Sequence, residues 1–144
     1  MNVIVEKLAP GEEPSVIFRV EHITDKIMRM IQMLESPDEW VVHVGNESFR
    51  ILISDVFYLE TVESKVFVYT EQAIYQSKLK LSEIEAELNG NDFLRTSRQM
   101  IVNIEKIQSV MPAGNGRFQM TLLNGEKLIV SRQYVSEMKR RFGV

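Results

Sequence analysis

From Trp40 onward the chain is written as short apolar runs separated by turn dipeptides, and this pattern narrows its folds more than any other feature. Trp40-Val41-Val42-His43-Val44 and Ser48-Phe49-Arg50-Ile51-Leu52-Ile53 flank Gly45-Asn46. Val56-Phe57-Tyr58-Leu59-Glu60 and Lys65-Val66-Phe67-Val68-Tyr69-Thr70 follow, with Ala73-Ile74-Tyr75 behind them. Asn115-Gly116 and Asn124-Gly125 separate further runs near 107–111, 118–123 and 127–130. Alternating runs broken by two-residue turns of this kind are hairpins, so the pattern predicts antiparallel sheet. Phe93 to Ile104 reads as a strand interrupted at Ser97-Arg98-Gln99.

Helical signals are few and peripheral. Ser82-Glu83-Ile84-Glu85 has the form of a capping box, with Ser at the cap, followed by Ile84 and Leu88 as a buried stripe and Asn89-Gly90 as a left-handed end. Ser131 can cap a last helix whose inner face carries Tyr134 or Val135, Met138 and Phe142, with Lys139, Arg140 and Arg141 at its negative end. The expectation is a mainly β (α+β) body with short peripheral helices over residues 40–144.

Residues 1–39 are written differently. Val3-Ile4-Val5, the turn-like Pro10-Gly11-Glu12-Glu13-Pro14 and Val16-Ile17-Phe18-Arg19-Val20 read as strand, turn, strand. Ile23, Ile27, Met30, Ile31 and Leu34 then recur at helical spacing until Ser36-Pro37, where proline disfavours helical geometry. A small strand–helix segment ahead of the β body is expected. Met28, Met30 and Met33 suit packing in a core or a dimer interface.

Several chemistries are excluded by residue type. The chain has no cysteine among its 144 residues, so disulfides, thiolate metal sites and thiol nucleophiles are absent. His22 and His43 are its only histidines, too few for a histidine-rich metal site. No cofactor is called for. Glu60 and Glu63 sit at a strand–turn with no nucleophile or oxyanion donor beside them, and Gly114-Asn115-Gly116 is a hairpin turn rather than a phosphate loop. An enzyme is not expected. No apolar run is long enough to span a bilayer and no signal peptide opens the chain, which points to a cytoplasmic protein.

Charge is distributed unevenly. The formal net charge is -3, but residues 1–90 hold 8 Lys/Arg against 16 Asp/Glu, whereas residues 91–144 hold 9 against 4. Such a chain can present a basic surface to a polyanion. Arg95, Arg98, Arg132, Lys139, Arg140 and Arg141 fall near element ends and interruptions, and Lys65 follows the 61–64 turn. Arginine suits phosphate oxygens and guanine edges equally.

Three stretches in order resemble the LytTR family, a DNA-binding domain of bacterial transcription regulators. They are Asp55-Val56-Phe57-Tyr58-Leu59-Glu60; Phe93-Leu94-Arg95-Thr96-Ser97-Arg98-Gln99-Met100-Ile101-Val102-Asn103; and Asn124-Gly125 with Ile129-Val130-Ser131-Arg132-Gln133-Tyr134. The resemblance runs from about Trp40 to Phe142. It implies an elongated stack of small antiparallel sheets that enters successive major grooves of duplex DNA with loops.

Carried over by position, the resemblance puts Lys65, Ser97, Arg98, Gln99, Arg132 and Gln133 at DNA. Arg98 is the expected base reader, and Lys65 and Arg132 are phosphate or groove contacts. Asn103 is expected to fix a turn through its amide, and Glu60 to be structural. Many relatives have His at the position of Ser97 and a second basic residue at that of Gln133, and this chain departs from the family pattern at both.

A receiver of the size found in many relatives does not fit in 144 residues. Regulation is therefore expected through a partner protein or through abundance. Expected partners are promoter repeats in double-stranded DNA, a second copy of the chain, and a small membrane-protein inhibitor encoded nearby, with residues 1–39 as the dimerisation or partner-binding segment. The competing reading is a protein-interaction module that retains the fold without binding DNA.

Overall fold

The structure, a computed structural model, describes residues 1–35, 38–88 and 92–144. The expected helix stop at Ser36-Pro37 and left-handed end at Asn89-Gly90 lie outside the described residues.

Ten strands and three α-helices follow one another as α1 (Asp25–Glu35), β1 (Glu39–Val44), β2 (Glu47–Leu52), β3 (Val56–Val62), β4 (Lys65–Thr70), β5 (Ile74–Ser77), α2 (Leu81–Glu87), β6 (Phe93–Ser97), β7 (Met100–Asn103), β8 (Ile107–Gly114), β9 (Arg117–Leu122), β10 (Lys127–Val130) and α3 (Arg132–Phe142). Every turn dipeptide singled out in the sequence joins two paired strands: Val44 faces Glu47, Gly114 faces Arg117, and β9 returns as β10 through the 123–126 turn.

Seven strands make one antiparallel sheet in the order β2-β1-β5-β4-β3-β7-β6, and β10-β9-β8 make a second. The larger sheet carries a core on each face, the second of them without residues from β1, β2 or β5. On one face Trp40, Val42, Leu59, Val66, Val68 and Ile101 pack with Leu81, Ile84 and Leu88 of the α2 region. On the other, Phe57, Tyr58, Leu94 and Val102 pack against Met120, Leu122 and Val130 of the smaller sheet and Met138 of α3. This explains the unbroken apolar run of β3. Its register against β4 shifts between Val56 and Tyr58, so Phe57 and Tyr58 reach the second core while Val56 and Leu59 stay in the first.

Two helix starts differ from the sequence expectation in detail. The α2 helix begins at Leu81, and its cap position is Lys80, not Ser82. Leu81 is buried with Ile84 and Leu88, and holding all three on one face starts the helix ahead of the serine. Half of the reciprocal cap remains, since the Glu83 carboxylate accepts from the Lys80 N–H at 3.4 Å. Ser131 does occupy the cap position of α3, but its side chain makes no capping hydrogen bond. The α3 inner face is as expected, with Met138 buried and Tyr134, Val135 and Phe142 packed around it.

Of the segment before β1, the turn and the helix form and the two strands do not. Among residues 1–24 no strand is present. The 9–12 turn is closed by the Glu12 N–H on the Ala9 carbonyl at 3.2 Å. Thr24 caps α1, its hydroxyl accepting from the Ile27 N–H at 3.2 Å. Only Ile27 of the helix stripe is fully buried, and Ile23 and Leu34 stand exposed. Val3, Ile4, Val5, Val16 and Ile17 are exposed too, because a strand needs a ladder partner and neither run pairs with a strand among the described residues.

Candidate nucleic-acid interface

The expected contact residues occupy three connections that the fold brings to one end of the large sheet. Strands β3 and β7 are antiparallel neighbours, with Glu60 facing Met100, so the turn after β3 and the turn before β7 emerge together. The Thr61 N–H donates to the Gln99 carbonyl at 2.8 Å and ties the two turns. The Ser131 N–H donates to the Thr96 carbonyl at 2.9 Å and anchors the start of α3 beside the same turn.

The β3–β4 turn is the tightest of these. Glu63 and Ser64 both have positive φ, 49° and 66°, as a two-residue hairpin of matching twist requires. Lys65 follows, exposed, paired with Val62. In the β6–β7 turn Arg98 and Gln99 are exposed at the tip. The Ser97 hydroxyl accepts from the Gln99 N–H at 3.2 Å, so Ser97 shapes the turn from within. Arg132 and Gln133 are exposed on the first turn of α3. Among the described residues no carboxylate lies within ion-pair distance of Lys65, Arg98 or Arg132. Their charges are free to meet an external anion.

Three other basic residues of the second half have different work. Arg95 donates to the Ser97 carbonyl at 2.8 Å, to the Arg98 carbonyl, and to Glu85 of α2 at 3.3 Å. It braces the turn that presents Arg98. Arg140 is held by Glu137 through two hydrogen bonds of 3.1 and 2.5 Å, and that guanidinium keeps the Glu137 carboxyl below its ordinary range. Arg141 reaches the Phe93 carbonyl, and its burial lowers its pKa.

Asn103 does what the sequence led us to expect. Its buried side chain donates to the Val56 carbonyl at 2.9 Å and accepts from the Glu105 N–H at 3.1 Å, joining β7 to β3 and fixing the following turn. Glu60 lies half-buried in the β3 ladder.

Sequence reasoning missed one neighbour of the site. A Cβ at Gly116, in the β8–β9 turn, would come within 2.9 Å of Arg132 Cδ. That turn therefore backs the first residue of α3. The Asn115-Gly116 dipeptide announced a hairpin, but nothing local announces what lies over it.

Exposed amides, and cationic side chains that have no carboxylate partner among the described residues, thus stand on turns tied to one end of a sheet, an arrangement suited to a polyanion. The match of the LytTr DNA-binding domain family to residues 46–143 makes the assignment specific: the chain belongs to this family. It is 34% identical over 142 residues to the sensory transduction protein LytT of Enterococcus faecalis (95% of this chain, 59% of that protein) and 32% identical over 97 residues to LytT of Bacillus subtilis (67% and 40%). The chain thus spans about half the length of these relatives. An uncharacterized HTH-type transcriptional regulator of Staphylococcus aureus strain N315 is 27% identical, over 86% of this chain and 83% of that protein. Despite the HTH label of that relative, no two of the three helices described here are consecutive. The LytTr DNA-binding domain of a putative methyl-accepting/DNA response regulator from Bacillus cereus superposes with a TM-score of 0.71 at 28% identity, covering 76% of this chain and all of that one.

Proposed function

We propose that this chain is a sequence-specific transcription regulator that inserts the β3–β4 turn, the β6–β7 turn and the start of α3 into successive major grooves of duplex DNA. The observation that carries this reading is the tying of the three connections by the Thr61–Gln99 and Ser131–Thr96 hydrogen bonds, with Lys65, Arg98 and Arg132 unpaired at their ends. Arg98 reads a base edge from the tip of its turn, because a guanidinium can take guanine O6 and N7 together. Lys65 and Arg132 neutralise phosphates, and Gln99 and Gln133 add polar groove contacts. Ser97 acts chiefly by holding the turn.

In this reading the protein works in the cytoplasm as a homodimer on repeated half-sites. Its activity is set by abundance or by a partner protein, such as a small membrane protein, that engages residues 1–39. The exposed apolar residues of 3–5 and 16–17 and of α1 (Met28, Met33, Leu34) support a protein contact there.

The test is a selection from a random duplex library at physiological salt, run in parallel with Arg98→Ala. Enrichment of a repeated motif that Arg98→Ala loses is the expected result. No enrichment with either protein would overturn the reading in favour of a protein-interaction module that retains the fold.

A further inference from the structure

An open sheet edge is a template for another strand, and native chains blunt such edges with prolines, bulges, lysines, short strands or a cover. Three of the four edges here are blunted. On β6 the Phe93 carbonyl takes the Arg141 guanidinium and the Thr96 carbonyl takes the Ser131 N–H. Strand β8 carries Pro112 and shifts register twice against β9. Strand β10 has four residues and begins with Lys127. Strand β2 differs from all three. Its six residues pair with β1 in unbroken register and include no proline. Arg50, its cation, turns to Glu39 of β1 at 3.5 Å. Among the described residues β2 has no strand on its outer side, and its backbone makes no hydrogen bond outside the β1 ladder.

The chain also holds a strand sequence without a ladder. Val16-Ile17-Phe18-Arg19-Val20 joins no sheet, and among the described residues its backbone has no hydrogen-bond partner. We infer that this run adds to the β2 edge of a second copy of the chain, and that two copies exchange their runs reciprocally. The inference rests on the homodimer reading above and names the two surfaces that would make the dimer. The alternation of the run fits that edge. Side chains alternate between the faces of a strand, so Val16, Phe18 and Val20 share one face, and Ile17 and Arg19 share the other. On β2, Phe49 and Ile51 are half-buried against the first core, with the Phe49 ring 5.3 Å from that of Tyr75. The three apolar residues of the run extend this face. Within one chain the run leaves its own β2 edge open, whereas exchange between two copies fills both edges and closes the assembly with two-fold symmetry.

The chain has no cysteine, so introduced thiols are unique markers. Full-length Ile17→Cys is mixed in turn with full-length Ser48→Cys, Arg50→Cys and Leu52→Cys, which lie on the β2 face that Ile17 would share, and treated with a short bis-maleimide. A product holding one chain of each variant is expected with at least one of the three. Ser109→Cys, exposed on the β8 edge, is expected to give none. In parallel, light scattering compares the wild-type chain with Ile17→Pro/Phe18→Pro. Adjacent prolines remove two successive N–H groups, one of which faces β2 in either register, at residues that belong to no helix or strand. The wild-type chain is expected as a particle of two chains and the proline variant as one. A proline variant that still holds two chains would overturn the exchange while leaving the homodimer reading intact, and so would mixed products that are absent or equally abundant with Ser109→Cys. An Ile17→Cys/Arg50→Cys chain that links only within itself would assign the β2 edge to the chain's own run and overturn the exchange. A wild-type particle of one chain would instead overturn the homodimer reading itself.

Discussion

At the scale of single residues, the side chains that support the interface are as consequential as those that form it. Arg95 has a charge and a position that suit DNA, yet its guanidinium is committed to the Ser97 and Arg98 carbonyls and to Glu85. Arg95→Met is therefore expected to loosen the β6–β7 turn. Discrimination between a selected duplex and a mixed-sequence one should fall several-fold, with little change in non-specific affinity, as competition binding would show. Asn103 is buried with both ends of its amide engaged. Asn103→Ala leaves the Val56 carbonyl and the Glu105 N–H without partners, which should cost about 1–3 kcal/mol in urea denaturation. Gly116→Ala combines a positive φ with a contact on Arg132. It is expected to cost about 1–2 kcal/mol from backbone strain alone, and in binding assays to weaken DNA affinity by displacing Arg132. Asn103 was legible in the sequence because an asparagine beside a turn has a local use for its amide. The bracing role of Arg95 was not, because its three acceptors are selected by the bend of a turn and by a helix ten residues upstream.

At the scale of elements, burial on both faces separates the strands that organise the molecule from those that edge it. Strand β3 is covered on both sides, and Tyr58 links it to the turn after β9. Its hydroxyl donates to Glu126 Oε2 at 2.7 Å, and its ring stacks on Tyr69 with centroids 4.3 Å apart. Burial, and then the hydrogen bond to Glu126, raise the Tyr58 pKa above its ordinary value. The folded state thus retains a proton that the unfolded chain releases near pH 10. This contribution to stability is complete below that pH and is lost as pH rises toward the folded pKa. Tyr58→Phe is expected to lower stability by about 1 kcal/mol at neutral pH and to flatten the alkaline fall in denaturant midpoint. Hairpins and strand runs were readable at this scale because turn dipeptides and alternation are local signals. The start of α2 was displaced because the buried triad Leu81, Ile84 and Leu88, rather than the serine, set its first turn. The strands read in 3–5 and 16–20 had the right composition but no ladder to join.

At the scale of the whole molecule, the acidic and basic halves of the chain fold into one architecture. Strands from both halves share the large sheet, as the β3–β7 pairing shows. Lys65, from the acidic half, thereby reaches the same end as Arg98 and Arg132. The exposed apolar positions before β1 bear on assembly. If residues 1–39 hold two copies together, deletion of residues 1–38 should turn a particle of two chains into one of a single shortened chain, as light scattering would show. A particle that still holds two shortened chains would remove dimerisation from the role of this segment. A dimer would also present two sets of turns to repeated half-sites, so the deletion should weaken binding to a duplex carrying two sites far more than to one carrying a single site.

The sequence by itself determined the hairpin succession, the interrupted β6–β7 strand, the inner face of α3 and the family, because each is carried by neighbouring residues whose backbone preferences and side-chain periods are local. Tertiary structure decided which turns share an end of the sheet, which arginines stay free for an external anion, and which are spent on carbonyls and carboxylates of the chain. Those outcomes depend on pairings such as Thr61 with Gln99, Ser131 with Thr96 and Gly116 with Arg132. Contacts between residues so far apart along the chain follow from how the sheets stack, and no window of sequence contains them.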